Sequence, residues 1–220
     1  MGTRTARINT LRGLLREFGV ILPVGAVAAL KRMAEAIEDP AVPIWLRAGL
    51  HDLQSEIRGL EARIVEVERA LGALAKASPA IERLRQVSGI GLLTATALYA
   101  SAGDAQHFRS GRHLASWLGL TPREHSSGNV RRLGGISKRG DRYVRMLLTH
   151  GARAVLLRAG QMQRAGQKLN RLQRWALDLH GRVGHNKAAC ALANKLARIA
   201  WATWRYQRDF DPDHAVSTVV

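Results

Sequence analysis

The stretch that decides the fold is residues 46–77, LRAGLHDLQSEIRGLEARIVEVERALGALAKA. Its apolar residues recur in alternating steps of four and three, while charged residues fill the positions between them, as in a coiled coil. The apolar positions are Leu46, Leu50, Leu53, Ile57, Leu60, Ile64, Val67, Leu71 and Leu74. The pattern predicts one helix of roughly 40 Å and a coiled-coil arm at 40–77 that joins copies of the chain into a homo-oligomer. The alternative is a long helix packed inside its own chain.

The rest of the chain also has helical periodicity, so the predicted class is mainly all-α. We divide it into N-terminal helices at 1–39, the arm at 40–77, a helical domain at 78–160, and basic C-terminal helices with a tail at 161–220. Ser78 and Pro79 are typical of a helix start, which places a domain boundary there. Turns are expected at Gly134-Gly135, Gly140 and Gly160, and no stretch shows the alternation of a strand.

The charge of the chain indicates a polyanionic partner. It has 34 Lys and Arg against 17 Asp and Glu, a formal net charge of +17 and a pI near 11.5. Such an excess is typical of proteins that bind nucleic acid phosphates. Cys190 is the single cysteine, which excludes an intrachain disulfide and suits the cytoplasm. We expect neither a membrane anchor nor a secretory signal.

A glycine turn follows the predicted helix start at Pro79. Gly89 and Gly91 flank Ile90, and an apolar helical run comes next. This form is typical of a helix-hairpin-helix, whose backbone N–H groups bind phosphates without sequence preference. A glycine turn that merely joins two core helices has the same pattern. The motif therefore predicts DNA binding through Gly89 and Gly91, with simple core packing as the alternative.

Residues 121–160 hold nine Lys or Arg and two acids, a net charge of +7. Ser126, Ser127 and Gly128 lie near the start of this segment in a polar loop. A free hydroxyl among guanidinium groups suits phosphoryl transfer, although a plain phosphate-binding loop has the same composition. The candidate nucleic-acid-binding residues are Arg123, Arg131, Arg132, Lys138, Arg139, Arg142 and Arg145.

In the last strong helix, Lys195 and Arg198 are further candidates for nucleic-acid contacts, or else part of a solvated face. Trp201 and Trp204 are interpreted as core or interface residues rather than stacking platforms for bases.

These motifs together resemble a known family. The segment VSGIGLLTATALYASAGDAQHFRSGRHLASWLGLTPREHSSGNVRRLGGISKRGDRYVRMLLTHGA, residues 87–152, is similar to the transposase domain of insertion-sequence family one hundred and ten. The similarity continues through NKAACALANKLARIAWATW and, near the start, TARINTLRGLLREFGVILP. Members of that family are serine-dependent, RNA-guided DNA recombinases. The resemblance implies DNA transposition, with DNA and a guide RNA as partners.

The resemblance also implies a two-part active site. A nucleophilic serine matches Ser127, next to Gly128, with Ser126 as the runner-up, and an RNase H-like domain supplies carboxylates for a divalent metal, Mg²⁺ in the complete enzyme. Those carboxylates lie upstream of the matched region, so we expect a truncated form that binds no metal itself and is inactive alone. The alternative function is a non-enzymatic helix-hairpin-helix protein that binds DNA or RNA.

Overall fold

A computed structural model describes residues 2–130 and 132–213, and its architecture is mainly helical, which confirms the predicted class. The chain divides into two compact units, Met1–Ala70 and Leu71–Val220. Each unit has its own hydrophobic core. The division falls within a helix whose two ends belong to different units.

The first unit contains α1 (Gly2–Glu17), α2 (Ala26–Ile37) and most of α3 (Ile44–Ala77). Its core is formed by one apolar face of each helix, and these faces follow the spacing of three and four residues seen in the sequence. The fully buried side chains include Ile8, Leu11, Leu15, Met33, Ile37, Leu50 and Ile57. Ion pairs from Arg4 to Glu61, at 2.7 Å, and from Arg7 to Glu56, at 2.8 Å, join α1 to α3.

The apolar seam of α3 has two different environments. Leu50 and Ile57 are fully buried in the core of the first unit, so this half of the seam packs inside its own chain. Val67 is 57% exposed and Leu74 is 62% exposed, so the second half offers apolar side chains to solvent. Pairing of the exposed half with another copy of the chain stays a prediction.

The second unit is built around its last helix. The elements are the end of α3, then α4 (Pro79–Gln86), α5 (Leu92–Ala102), a 3₁₀ turn (Ala105–His107), α6 (Gly111–Trp117), β1 (Pro122–Glu124), β2 (Leu133–Ile136), α7 (Arg142–Arg164), α8 (Arg171–Val183) and α9 (His185–Arg205). Helix α9 packs against α4, α6, α7 and α8. Its buried face is rich in alanine, which lets neighbouring helices approach closely.

The helix start predicted at Ser78 is present, and it lies within the second unit, which begins at Leu71. Ser78 caps α4, because its hydroxyl accepts a hydrogen bond from the Ile81 amide at 3.5 Å, and Pro79 occupies the first helical turn. We expect no membrane-spanning segment from the sequence, and none of the helices in the described ranges is long and apolar enough to cross a bilayer.

Three local predictions were wrong. A two-stranded sheet, β1 with β2, lies where no strand was expected, and Gly134-Gly135 forms part of β2 instead of a turn. Its residues are nearly all exposed, so the hairpin lacks the apolar alternation that identifies a half-buried strand. The turn at Gly160 does not exist either, because α7 runs through it to Arg164. Its buried neighbours Leu156 and Ala159 outweigh the roughly 1 kcal/mol that glycine costs in a helix.

The glycine turn between α4 and α5 packs directly on α7. Gly89 has φ +91°, and a Cβ there would lie 2.9 Å from Val155 Cγ2 and 3.1 Å from Leu196 Cδ1. A Cβ on Gly151 would lie 1.9 Å from the carbonyl oxygen of Gly89. Two glycines on facing elements therefore permit backbone-to-backbone contact in the core of the second unit.

Candidate nucleic-acid interface and serine hairpin

The serine loop is the end of a β-hairpin. β1 pairs antiparallel with β2, Glu124 opposite Leu133, and the pairing continues in the same register to an isolated bridge between Ser127 and Val130. The amide of Ser127 donates to the carbonyl of Val130 at 3.2 Å, and the amide of Val130 donates to the carbonyl of Ser127 at 3.1 Å. A loop of only two residues, Gly128 and Asn129, therefore joins the strands.

Gly128 explains why the turn can be so short. Two-residue hairpin loops that match the twist of the strands need a positive φ at their first residue, where glycine is favoured. Gly128 has φ +55°, and no other atom lies within 4 Å of the position of its missing Cβ. The turn is thus open to solvent, and all residues from Pro122 to Val130 are exposed.

The two serines differ in their hydrogen bonds. The Ser126 hydroxyl donates to Glu124 Oε1 at 2.7 Å and accepts from the Arg132 amide at 3.1 Å, so it holds the hairpin together. Within the described part of the chain, the structure shows no side-chain hydrogen bond for the Ser127 hydroxyl. Ser127 has the hydroxyl that an incoming group can reach without breaking the hairpin.

The register of the hairpin decides which side chains lie near Ser127. Side chains alternate between the two faces of a strand, and directly paired residues share a face. The His125 amide donates to the Arg132 carbonyl at 2.9 Å, in the same register as the pair Ser127 and Val130. His125 and Arg132 therefore lie on the face of Ser127, whereas Glu124 and Ser126 lie on the other.

The base of the hairpin is fixed to α6 and α7 by close backbone contacts. A Cβ on Gly119 would lie 1.9 Å from the Arg139 carbonyl oxygen, and a Cβ on Gly140 would lie 1.8 Å from that of Trp117. The half-buried Arg145 donates to the carbonyls of Leu118, at 3.0 Å, and Arg139, at 3.3 Å. Arg145, a predicted nucleic-acid contact, thus has a structural role at the hairpin base.

Asp141 connects the hairpin to α7 as the N-cap of that helix. Its carboxylate accepts from the amides of Tyr143, at 2.8 Å, and Val144, at 3.0 Å, and also from the Ser101 hydroxyl. The hydrogen bond from Ser101, followed by that from the Val144 amide, lowers the pKa of Asp141 below its ordinary value. Asp141 therefore keeps the negative charge that favours a helix N-terminus.

A groove of about 2170 Å³ lies between this hairpin and helices α8 and α9. Its hairpin wall contains Arg123 and the glycines of β2, and apolar side chains such as Leu179, Val183 and Ile199 also line it. Its basic lining residues are Arg112, Arg123, Lys138, Arg171, Lys187, Lys195, Arg198 and Arg208. The groove therefore combines apolar surface with a strong positive charge.

Lys195 lies in the groove near two other cations, Arg171 and Arg198. Its Nζ atom is 3.9 Å from the ring centroid of Trp175, a cation–π contact. Burial lowers the pKa of Lys195, and the nearby charges of Arg171 and Arg198 lower it further. Three cations thus repel one another here, and a phosphate placed among them would relieve that repulsion.

The structure brings four predicted residues, Arg123, Lys138, Lys195 and Arg198, together in the groove. Three other candidates are exposed on or beside the hairpin, namely Arg132, Arg139 and Arg142. The candidate Arg131 lies outside the described residues.

The two glycines of the turn before α5 also differ. Gly91 is exposed at the start of α5, whereas Gly89 packs against α7. Trp201 and Trp204 are each only 8% exposed, and Trp201 Nε1 donates to the Ala105 carbonyl at 3.0 Å, consistent with core positions.

Sequence reasoning did not predict the groove residues Arg112, Arg171, Trp175, Lys187 and Arg208. Arg112, Arg171 and Trp175 lie on α6 and α8, and the packing of these helices on α9 brings them into the same groove as Lys195. His125 was also missed, since its relation to Ser127 depends on strands that the sequence does not reveal. Cys190 is half-buried and lines the groove.

The donor set for a divalent metal is not present around the serine. In residues 2–130 and 132–213 no group of three or more His, Cys, Asp or Glu side chains could hold a metal ion. Glu124 is the carboxylate nearest in sequence to Ser127, and it lies on the opposite face of the hairpin. The residues described here therefore do not fit the Mg²⁺ that the resemblance implies.

Comparison with known proteins relates the chain to transposases. The chain is 46% identical over 202 residues to a probable family 20 transposase of Pseudomonas aeruginosa, a match that covers 90% of the chain and 58% of that protein. It is 39% identical over 210 residues to the transposase for insertion sequence element IS1111A of Coxiella burnetii, covering 94% and 56%. A pilin gene-inverting protein of Moraxella bovis is 26% identical over 182 residues, covering 80% and 53%.

These relatives define the class as insertion-sequence transposases and related DNA recombinases. Residues 81–167 match the model of the Transposase IS116/IS110/IS902 family, and this segment belongs to that family. The resemblance to insertion-sequence family one hundred and ten is confirmed. The chain spans about half the length of the curated relatives that it matches.

Proposed function

We propose that this chain is the part of a DNA transposase that carries the nucleophile, and that Ser127 attacks a DNA phosphodiester. The observation that carries the proposal is the position of Ser127 at the tip of an exposed two-residue turn, with its hydroxyl outside the hairpin's hydrogen bonds. Ser126 is unsuited to this role, because its hydroxyl already bonds to Glu124 and to the Arg132 amide.

The chemistry is a transesterification. The Ser127 Oγ–P bond forms, one ester oxygen of the DNA leaves with its electron pair, and the serine proton passes to a base, which leaves a phosphoserine link to DNA. His125 lies on the same hairpin face and can take that proton, while Arg132 stabilises charge on the phosphate oxygens. Metal-binding carboxylates belong to a separate domain in this proposal.

His125 gives the first test of this arrangement. His125→Gln is expected to slow formation of the protein–DNA adduct about 100-fold, because a proton acceptor is lost. Single-turnover rates of the wild type and the variant measure the effect. An unchanged rate in the variant would remove His125 from the proton path.

The groove supports the nucleic-acid part of the proposal, and binding there is expected to depend strongly on salt. If six to eight phosphates are contacted, the slope of log affinity against log salt on duplex DNA is roughly −5 to −7. Replacing Arg171, Lys187 and Arg198 by Gln removes three cations from the groove. Affinity is then expected to fall about 10- to 100-fold, and the slope to become shallower by about 3. Fluorescence anisotropy over a salt series measures both.

The matched control carries the same charge change elsewhere. Arg58, Arg63 and Arg69 are exposed on α3, and their replacement by Gln is expected to change affinity no more than about 3-fold. Equal losses in the two variants would mean that only total charge matters. A preference for structured RNA over duplex DNA, with no adduct under any condition, would favour the alternative of a non-enzymatic nucleic-acid-binding protein with a helix-hairpin-helix.

The exposed half of the α3 seam supports self-association. We expect the chain to be an oligomer that becomes monomeric when Val67 and Leu74 are both changed to Asp, since a charge in a coiled-coil seam is buried without a partner. Val65→Asp with Ala73→Asp, two exposed positions off the seam, is the control and keeps the oligomer. Light scattering gives the masses. A monomeric wild-type chain at micromolar concentration would exclude the arm as a self-association device.

A further inference from the structure

The chain after α9 lines part of the groove. Helix α9 ends at Arg205, and Gln207 has φ +52°, a left-handed conformation that is uncommon for residues other than glycine. The residues that follow contact Gln86 of α4 and Arg171 of α8. We name residues 207–213 the C-terminal strap. Five of its residues, Arg208, Asp209, Phe210, Asp211 and Pro212, line the groove.

Specific contacts hold this strap in place at both ends. Gln86 of α4 donates from Nε2 to Asp209 Oδ1 at 3.0 Å and accepts from the Phe210 amide at 3.1 Å, while the Phe210 ring packs against the core. At the other end, Asp213 Oδ1 accepts from the Arg171 amide in the first turn of α8 at 2.8 Å. The strap is therefore docked, although Asp209, Asp211 and Asp213 remain exposed.

The charge of the strap is opposite to that of the groove. Among the groove-lining residues in the described part of the chain, the two carboxylates are Asp209 and Asp211, and both belong to the strap. The groove also contains Arg171, Lys195 and Arg198, and the pKa of Lys195 is lowered by burial and then by the charges of the two arginines. The strap thus places carboxylates at the edge of a cationic groove, where a nucleic acid would place phosphates.

From these contacts we propose that the C-terminal strap is autoinhibitory: it competes with nucleic acid for the groove and must leave before a strand can occupy it. This inference rests on the nucleic-acid binding proposed above. A protein whose competent state is only partly populated shows a proportionately weaker apparent affinity, so loosening the strap strengthens binding. Because its docking uses a few polar contacts and one aromatic ring, the strap can open without unfolding α9.

Two variants of the strap test the proposal against one control. The first variant replaces the three strap acids, Asp209, Asp211 and Asp213, by Asn. Its affinity for a fluorescent 20-nucleotide DNA is expected to be about 10-fold higher at low salt. The control replaces three exposed acids of α3, Asp52, Glu66 and Glu68, by the corresponding amides, which gives the same charge change and is expected to raise DNA affinity less than about 3-fold. Gln86→Ala, which changes no charge, loosens the strap and is expected to raise affinity about 3-fold.

The rate of hydrogen exchange at the Arg171 amide reports whether the strap is docked, because that amide donates to Asp213. Exchange is expected to be slow in the wild type, faster in Gln86→Ala, and faster in the wild type once DNA is bound. Equal affinities of the strap and α3 variants, no effect of Gln86→Ala, or an Arg171 amide still protected with DNA bound would each overturn the proposal. If no variant binds nucleic acid at all, the proposed function itself fails, which is a distinguishable result.

Discussion

Ser127→Ala is expected to reduce the covalent protein–DNA adduct below detection, a loss of at least about 10⁴-fold, while DNA affinity stays within about 2-fold. The alanine removes the attacking oxygen, so no phosphoserine bond can form. Affinity depends instead on many cationic contacts, beside which one neutral hydroxyl contributes little. The assay supplies the two partners that the proposal invokes, the metal-binding domain of a family member and a guide RNA. Adducts are detected by denaturing electrophoresis, and the modified peptide is identified by mass spectrometry.

Ser126→Ala is the matched control. It removes two hydrogen bonds that stabilise the hairpin, from the hydroxyl to Glu124 and from the Arg132 amide to the hydroxyl, so the adduct should decrease about 3- to 10-fold and remain measurable. If the adduct persists in Ser127→Ala and disappears in Ser126→Ala, Ser126 and not Ser127 is the nucleophile. Loss of DNA binding in Ser127→Ala would instead show that the loop only holds phosphate.

Gly151→Ala is expected to destabilise the second unit by about 3 kcal/mol or more and to lower its Tm by roughly 10 °C. The added Cβ would lie 1.9 Å from the Gly89 carbonyl oxygen, a distance that is far too short for two non-bonded heavy atoms. The obstruction is backbone rather than the end of a flexible side chain, so relief requires the whole turn between α4 and α5 to move off α7. Calorimetry or thermal melts followed by circular dichroism measure the effect.

Gly160 in the same helix provides the control. No other atom lies within 4 Å of the position where its Cβ would be, so Gly160→Ala should be neutral or stabilise α7 by up to about 1 kcal/mol. If both substitutions leave the Tm unchanged, the close contact of the Gly89 turn with α7 is wrong. Refolding yield separates a true loss of stability from aggregation.

The long helix, the helix start at Ser78 and the buried face of α9 could be predicted because their cause is local. Leu192 and Leu196, for example, are four residues apart, a helical spacing that is visible in the sequence alone. The structure buries both side chains fully. The packing partner of the α3 seam could not be predicted in the same way. One apolar repeat serves both Leu50, which packs in its own chain, and Leu74, which stays exposed, so the pattern alone does not say what covers it.

The candidate site was predictable in composition but not in arrangement. A basic segment around Ser127 is visible in the sequence, yet whether an arginine faces a ligand depends on tertiary contacts. Arg145 has the same chemistry as Arg123, but it is used to bond the carbonyls of Leu118 and Arg139. Arg171 and Lys195 meet only because α8 packs on α9, and no local signal connects them.

The two-residue turn at Gly128 makes the length of this loop as important as its composition. Inserting a single residue between His125 and Ser126 would place Ser127 on the strand face opposite His125, because neighbouring side chains in a strand point to opposite sides. If Ser127 is the nucleophile proposed above, a copy of the gene with one extra codon there keeps both serines and loses the face that the nucleophile shares with His125. Under that proposal, a single added codon inactivates the loop without removing a serine.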